Sequence, residues 1–366
     1  MSNPQPFTAA PPASPPGVAW SDPLREAAFR RWLDRIAPIH ALRPASLRPA
    51  SADASFRRYL RIDSDHHGSR VIMDAPPDKE NCEPFVQVAG LMTQAGLNVP
   101  RVLDWDQAGG FMLLQDLGHQ TMMEAIEPSL PDANRGLYLR AVDALVAWQA
   151  ASQPGMLPPY DEALLARELA LFPDWYLGQH RGMKVQGALR ETLDRTFALI
   201  VQHNLASPCV YVHRDFMPRN LMMPSDPAEE RLGVLDFQDA VYGPISYDIA
   251  SLMRDAFLSW EEEFVLDITV RYWQRAQQAG LPVASDFGEF YRAVEWMGLQ
   301  RHLKVAGIFA RLTLRDGKLR YLADTPRFIA YIRATASRYR ELTPLLRLID
   351  DAEGTQQTSA YVIGRG

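Results

Sequence analysis

The sequence is poor in cysteine, and this excludes two classes of protein. Only Cys82 and Cys209 occur among its 366 residues, and their sequence contexts are unrelated. Two isolated thiols support neither a disulfide framework nor a thiolate metal site. The fold must therefore depend on an ordinary hydrophobic core. A chain of this length with 47% hydrophobic residues is long enough to form one in two lobes.

Long hydrophobic runs and an excess of positive charge are also missing. No apolar run approaches the roughly 18–20 residues needed to cross a bilayer. Residues 1–20 are rich in Pro, Ala and Ser and lack the basic and apolar regions of a signal peptide. The formal net charge of -6 argues against nucleic acid as the main partner. We expect a cytoplasmic protein without a membrane or nucleic-acid partner, and we take a monomer as the working assumption.

The N-terminal part of the chain has the pattern of a small sheet with helices. Residues 1–20 predict a flexible tail, and residues 21–118 predict a β-rich lobe. The predicted helices cover 22–37 and 83–95, and the predicted strands cover 56–62, 71–73, 102–105 and 111–114.

From residue 119 to residue 350 the pattern is mostly helical, including a predicted helix over 162–176, with short apolar strands at 209–212, 221–223 and 232–235. Residues 351–366 are polar and predict a second tail. Together these segments predict an α+β fold in which a small β-rich lobe precedes a larger helical lobe. This is the two-lobe plan of kinases.

An apolar strand that leads into a polar loop carries the strongest chemical signal. The strand at 210–212 is followed by His213, Arg214 and Asp215, then by four residues, then by Asn220. Phosphoryl transfer needs a carboxylate to accept or orient the proton of the acceptor hydroxyl, and an oxygen ligand for magnesium. Asp215 is the candidate catalytic group, and Asn220 is a candidate metal ligand.

A second apolar strand, 232–235, ends directly at Asp236. Its carboxylate suits magnesium, which prefers oxygen ligands. An Asp after a strand is, by itself, more often a turn former or a helix cap. The two acids in this order, each after a strand, indicate a metal-dependent kinase.

These segments resemble the aminoglycoside phosphotransferase family, which is related to protein kinases. The likeness lies in the catalytic loop 213–220, the metal loop 235–239 and the stretch 242–252. It implies ATP and Mg²⁺ as cofactors, and structural support of the catalytic loop by His213 and Asp248. Only about a dozen residues separate Asp236 from Asp248, so a phosphorylation-regulated activation loop has no room.

The nucleotide site predicted in the small lobe departs from the kinase pattern. Residues 51–59 take the place of a phosphate-covering loop but contain no glycine. The strand 71–74 has no lysine for the α- and β-phosphates, so Arg57, Arg58 or Lys79 would have to replace it. Glu83, the candidate acidic partner of that cation, is equally uncertain. The residues predicted to bind the cofactor are Ser55, Phe56, Arg57, Arg58, Gln115 and Leu117, the last two through their main chain at a hinge between the lobes. The alternatives are an ordinary β-turn at 51–59 and a simple connector between the lobes at 111–118.

A narrower resemblance concerns the acceptor. The stretches 73–77, 171–177, 237–240 and 300–304 resemble the bacterial anomeric kinases of cell-wall recycling, and the likeness covers about residues 22–348. Those enzymes phosphorylate N-acetylmuramate and N-acetylglucosamine at C1. The resemblance implies a small-molecule sugar substrate.

The residue types that could bind such a sugar are present. Asp174, Trp175 and Tyr176 offer a polar group and aromatic platforms, although aromatic residues on a helix more often belong to the core. Arg301 and Lys304 lie three residues apart on a helix and could bind a carboxylate, or could form a solvated basic face. The side chain of Asp239 could bind a hydroxyl or cap a turn.

Two other functions compete with a sugar kinase. An aminoglycoside, choline or a similar amine could be the acceptor, which would call for several acids in the helical lobe. A non-catalytic nucleotide-binding scaffold would explain the missing lysine, but not the presence of all three groups at 215, 220 and 236.

Overall fold

The computed structural model describes residues 18–52, 56–226 and 228–354, which form two compact units. The smaller unit comprises residues up to 89 together with 100–117, and the larger comprises 90–99 and the residues from 118 onward. Ser55, most of the predicted N-terminal tail and most of the predicted C-terminal tail lie outside the described residues.

The smaller unit is built on a five-stranded antiparallel sheet with the strand order β1-β2-β3-β5-β4. Its strands are β1 (Leu42–Ala52), β2 (Arg58–Ser64), β3 (Gly68–Asp74), β4 (Val102–Asp106) and β5 (Phe111–Gln115). Two helices accompany them, α1 (Pro23–Ile36) and the beginning of α2 (Glu83–Gln94). The predicted helices and strands of this region are confirmed to within a few residues.

Helix α1 covers one face of this sheet. The Asp22 side chain accepts a hydrogen bond from the Leu24 N–H, and Pro23 occupies the first helical position, so the predicted start is confirmed. The buried rings of Phe29 and Trp32 lie 5.5 and 5.4 Å from the ring of Phe111 on β5. The amphipathic pattern of α1 therefore supplies the core of the smaller unit.

Strand β1 was not predicted, because its sequence does not look like a strand. It contains Pro44 and Pro49, which cannot donate to a ladder. The sheet tolerates them because β1 is an edge strand that pairs only with β2. Its pairing with β2 runs from Leu42–Ser64 to Ala52–Arg58.

The larger unit is mostly helical, and the predicted α+β fold class is confirmed. Its helices are α3 (Met122–Ala125), α4 (Arg135–Ala150), α5 (Glu162–Leu171), α6 (Ala188–Leu205), α7 (Ser246–Met253), α8 (Glu262–Gln278), α9 (Phe287–Leu314), α10 (Thr325–Arg338) and α11 (Thr343–Glu353). Two antiparallel strand pairs interrupt them: β6 (Cys209–Val212) with β9 (Val241–Pro244), and β7 (Leu221–Met222) with β8 (Gly233–Val234). In the described part of the chain, no helix has both the length and the apolarity to cross a membrane.

Helix α9 runs through the core of the larger unit. Its residues from Trp296 to Gly307 are buried without a break, including the polar residues Gln300, Arg301, His302 and Lys304. Buried polar groups need hydrogen-bond partners or compensating charges. The polar face of α9 is therefore where a functional arrangement is expected.

Helix α5 ends earlier than predicted. The apolar pattern predicted a helix from 162 to 176, but α5 ends at Leu171 and a π-helical segment continues from Phe172 to His180. Pro173 has no N–H to donate, which disfavours continuation of the i to i-4 ladder at this point.

Candidate active site

The loop that joins β6 to β7 carries the predicted catalytic residues. Val210, Tyr211 and Val212 are buried, so β6 anchors the start of the loop in the core. A short 3-10 turn, Pro218–Asn220, ends the loop and leads directly into β7. Both ends of the loop are thus fixed by strands.

Asp248 on α7 holds the first half of this loop. Its fully buried carboxylate accepts the main-chain N–H groups of His213 at 2.7 Å and Arg214 at 3.0 Å. Burial raises the pKa of Asp248 to about 7, although these two donors and Arg301 act in the opposite direction. The two hydrogen bonds support a left-handed backbone at Arg214, with φ of 77°.

His213 connects the loop to the strand end that precedes Asp236. Its Nε2 donates to the Leu235 carbonyl oxygen at 3.0 Å, and its Nδ1 accepts the Asp215 N–H at 3.2 Å. Burial lowers the pKa of His213 to about 4, so the ring is neutral at neutral pH. Both ring nitrogens contact main-chain atoms, which is the geometry of a supporting residue.

Asn220 brings the three predicted groups together. Its Nδ2 donates to the main-chain carbonyl of Asp215 at 2.9 Å and to the carboxylate of Asp236 at 3.3 Å. The Leu235 N–H donates to the Asn220 carbonyl at 2.9 Å, so the two loops also meet through their main chains. Asp215, Asn220 and Asp236 therefore share one hydrogen-bonded arrangement.

The oxygen atoms of this arrangement suit a hard divalent cation. Asp236 is exposed, and its Oδ1 accepts a hydrogen bond from Gln238 Nε2 at 2.9 Å. Asn220 uses Nδ2 for its two contacts, and Oδ1 is the atom that it can offer a cation. Within the described residues, no three His, Cys, Asp or Glu side chains are arranged to hold a metal. A site with two protein ligands, completed by phosphate and water, is typical of Mg²⁺.

Arg301 lies beside the candidate catalytic carboxylate. It is 2% exposed, and its Nη2 is 4.0 Å from Asp215 Oδ1. Lys304 is also buried, but it contacts Glu168 instead, with Nζ 2.8 Å from Oε1. The alternative of a solvated basic face is wrong for both residues, because this part of α9 lies in the core.

Glu168 on α5 is a buried residue that the sequence pattern did not reveal. Its carboxylate forms an ion pair with Lys304 and accepts hydrogen bonds from Arg214 Nη2, at 2.6 Å, and from the Tyr160 hydroxyl. Burial raises the pKa of Glu168, but Lys304 and Arg214 outweigh it, so the net pKa is lowered. One acid in an apolar stretch gave no sequence signal for this role.

The predicted sugar-binding residues at 174–176 belong to the π-helical segment that follows α5. Tyr176 is 1% exposed, and its hydroxyl donates to Glu353 at 2.6 Å. Trp175 packs against the core of this unit, and Asp174 is exposed. The side chain of Asp239 is exposed too, while its main-chain oxygen accepts Arg214 Nη1 at 3.3 Å. Tyr176 is therefore a core residue.

In the smaller unit, the candidate phosphate-binding cations have different partners. Arg57 pairs with Glu80 at 3.2 Å, and both side chains are largely buried. Arg58 instead donates to Asp74 at 2.6 Å, and Lys79 lies over the Phe56 ring. Arg57 thus has the acidic partner that was expected for such a cation, and that partner is Glu80.

Glu83 and the two hinge residues complete the predicted set. The Glu83 carboxylate accepts a hydrogen bond from the side-chain amide of Gln107, which lies between β4 and β5. The Gln115 N–H donates to the Arg101 carbonyl at 2.9 Å, so this amide belongs to the sheet. Leu117 is buried at the end of the smaller unit.

The model of the phosphotransferase enzyme family matches residues 46–287, which is more than half of the chain. The chain belongs to this family. The family predicted from the loops 213–220 and 235–239 is therefore confirmed.

Two relatives with a curated name cover almost the whole chain. A protein of Pseudomonas aeruginosa named N-acetylmuramate/N-acetylglucosamine kinase is 48% identical over 336 residues, which are 90% of this chain and 97% of the relative. A protein of Neisseria meningitidis serogroup B with the same name is 47% identical over 334 residues, 91% of this chain and 97% of the relative.

The family fold is also seen in solved structures of low sequence identity. The amicoumacin kinase hAmiN, solved in complex with AMP-PNP, Ca²⁺ and Ami, aligns with a TM-score of 0.56 at 14% identity. The alignment covers 84% of this chain and 94% of the kinase. This member of the phosphotransferase enzyme family therefore has a kinase fold.

Proposed function

We propose that this protein is an ATP-dependent sugar kinase that phosphorylates the C1 hydroxyl of N-acetylmuramate and N-acetylglucosamine in peptidoglycan recycling. The observation that carries the proposal is the hydrogen-bonded arrangement of Asp215, Asn220 and Asp236. Relatives 47–48% identical to this chain bear the name of this kinase. The choice of C1 follows from the resemblance to anomeric kinases. The reaction would take place in the cytoplasm, on a monomer that supplies every group itself.

Asp215 would accept the proton of the C1 hydroxyl as the hydroxyl oxygen attacks the γ-phosphorus of ATP and the bond from that phosphorus to the bridging β,γ-oxygen breaks, which releases ADP. Its side chain is 42% exposed and therefore accessible to a substrate. The main-chain contacts of the loop leave this carboxylate available, because His213 and Asn220 bind the N–H and the carbonyl oxygen of Asp215. A carboxylate within hydrogen-bond reach of the hydroxyl is what general base catalysis requires.

Asn220 and Asp236 would hold the magnesium ion through oxygen atoms. When bound, this ion would supply positive charge that offsets the negative charge developing on the phosphates during transfer. The Gln238 amide orients the Asp236 carboxylate from the other side. These side chains would thereby set the position of the nucleotide relative to Asp215.

In the smaller unit, Arg57 is our candidate for the cation that replaces the missing lysine. Glu80 fixes its guanidinium, as an acid fixes the corresponding lysine of kinases. Arg58 is a weaker candidate because all three of its guanidinium nitrogens are engaged, Nε and Nη2 by the Asp74 carboxylate and Nη1 by the Ala19 carbonyl. The loop residues Ser55 and Phe56 would help to cover the phosphates, and the main chain of Leu117 would contact adenine.

The acceptor can be identified from the phosphorus atom of the product. We expect ATP and N-acetylmuramate to give a product whose ³¹P resonance is coupled to the anomeric proton. The same assay on N-acetylglucosamine should give the corresponding 1-phosphate, and kanamycin and choline should give none. Transfer to the amines alone would contradict the proposal, and ATP binding without any transfer would favour the scaffold function.

Arg301 supports a neutral or anionic acceptor over a cationic one. A buried guanidinium 4.0 Å from Asp215 repels an ammonium group and attracts the lactyl carboxylate of N-acetylmuramate. We expect Arg301→Met to raise KM for N-acetylmuramate by about 10- to 100-fold, as for loss of a charged hydrogen bond.

N-Acetylglucosamine is the internal control, because it has no carboxylate. Its KM should change much less in the Arg301→Met protein, as measured by steady-state kinetics on both sugars. An equal rise in KM for the two sugars would contradict this prediction. Arg301 would then act only through Asp215 and would not recognise the carboxylate of N-acetylmuramate.

A further inference from the structure

Beneath the catalytic loop lies a buried cluster of charged groups, which we call the Glu168 cluster: Glu168, Arg214, Lys304, Tyr160 and Tyr247. Glu168 is 5% exposed and Lys304 is 9% exposed. The single carboxylate faces two cations, Arg214 at 2.6 Å and Lys304 at 2.8 Å. Lys304 also donates to the Tyr247 hydroxyl at 3.3 Å. Burying these charges costs desolvation free energy, which is recovered only when the ion pairs and hydrogen bonds have good geometry.

Two helices that run side by side fix the position of Glu168. Gln300 on α9 donates to the Leu165 carbonyl at 2.9 Å, and one turn later Lys304 meets Glu168. After another turn Gly307 touches Leu171, where an added Cβ would lie only 2.3 Å from the Leu171 carbonyl oxygen. The absence of a side chain at Gly307 thus allows α5 and α9 to approach closely and sets their register.

On the other side of the cluster, Arg214 is held at both ends. Asp248 binds its N–H, and Glu168 binds its guanidinium. A second guanidinium nitrogen donates to the Asp239 carbonyl at 3.3 Å. Because Arg214 has a left-handed backbone and directly precedes Asp215, these contacts define the direction in which the Asp215 side chain leaves the loop.

We propose that Glu168 is a positioning residue for phosphoryl transfer, which holds Asp215 in place through the side chain of Arg214. The inference rests on the proposed function of Asp215. Kinases that are switched on by phosphorylation supply the partner of a loop arginine as a phosphate group. Here an acid that is part of the fold supplies the negative charge, so the catalytic loop is held in its transfer geometry without modification.

The same contacts assign Lys304 to the cluster and not to the sugar. Its Nζ binds Glu168 and Tyr247. Without the positive charge of Lys304, the Glu168 carboxylate would still form its ion pair with Arg214. We expect Lys304→Met to retain most of the turnover on both sugars.

Glu168→Gln should lower kcat by about 100-fold on both sugars, since misplacement of a catalytic group by about 1 Å has an effect of this size. KM for ATP should stay close to that of the unmodified protein.

Glu168→Gln leaves two buried cations without an anion, so its melting temperature should also fall. The double variant Glu168→Gln with Lys304→Met removes one of these cations and should recover much of the melting temperature. Its kcat should remain low.

Amide hydrogen exchange of the peptide that contains residues 213–220 tests the same idea without an activity assay. Exchange should be faster in Glu168→Gln and in the double variant, and unchanged in Lys304→Met. Glu262→Gln is the matched control, because Glu262 accepts bonds from Arg254 and Tyr291 in a charged cluster that contains no loop residue. It should lower stability without changing the exchange of this peptide.

Recovery of kcat together with the melting temperature in the double variant would overturn the proposal, because Glu168 would then only balance buried charge. Unchanged exchange in Glu168→Gln would overturn it too. If the unmodified protein phosphorylates neither sugar, the proposed function fails, and the exchange experiment still decides whether Glu168 positions the loop.

Discussion

Asp215→Asn is expected to lower kcat by about 10²- to 10⁴-fold, the usual contribution of a general acid or base. Asparagine has the size of aspartate but cannot accept the proton of the sugar hydroxyl. The loop itself should survive, because His213 and Asn220 bind main-chain atoms of residue 215. The affinity for ATP should therefore change little.

Two measurements check this result. A coupled assay of ADP release gives kcat, and isothermal titration gives the dissociation constant of ATP. Asp132→Asn is the control, because this carboxylate is 85% exposed and lies in a helix-starting turn. A kcat within tenfold of the unmodified enzyme would show that Asp215 is not the base.

Asp236→Asn is expected to weaken the binding of magnesium-ATP by about 100-fold or more, since even outer partners of metal ligands contribute about 10- to 100-fold. Asn is preferred to Ala for this test. Residue 236 has φ of 62°, a left-handed conformation that Asn adopts more readily than most residues. The loop should therefore keep its backbone, and the loss should come from the carboxylate.

The dependence on magnesium separates this effect from a general loss of nucleotide binding. Titration of ATP without magnesium should give an affinity in Asp236→Asn at least as high as in the unmodified protein, because the variant lacks a carboxylate that repels the phosphates. Adding magnesium should increase the affinity for ATP in the unmodified protein and in Asp132→Asn, but not in Asp236→Asn. Equal magnesium dependence in all three would remove Asp236 from the metal site.

The parts of the molecule that could be predicted from sequence depend on local contacts. Helix α1 begins where Asp22 can cap it and Pro23 can occupy its first turn. The hairpin of β4 and β5 turns at Gly110, which has φ of 67° and lies against the Ala75 carbonyl. The candidate catalytic and metal loops follow short apolar strands, so their proximity could be predicted from neighbouring residues.

The parts that could not be predicted depend on partners far away in the chain. β1 is a strand only because β2 pairs with it, despite Pro44 and Pro49. Glu168 has a buried cationic partner on α9 only because that helix brings Lys304 next to it, 136 positions later in the numbering. The burial of Tyr176 likewise depends on Glu353 at the end of α11. No local pattern encodes such contacts.

The replacement of the missing lysine depends on both the local sequence and contacts between distant residues. The sequence identified three possible replacements, but spacing could not separate them. In the structure Asp74 binds Arg58, and Glu80 binds Arg57. The acid that pairs with Arg57 is thus three residues before the Glu83 that the kinase pattern suggested.

The position of α9 has a consequence for the biosynthesis of the enzyme. A nascent chain that has left the ribosome as far as α7 already contains Asp215, Asn220, Asp236 and Asp248, yet it has neither Arg301 nor Lys304. Domains generally fold as units during synthesis. Because α5 packs on α9 through Gln300 and Lys304, premature termination before α9 would release a polypeptide in which α5 and Glu168 lack these buried partners.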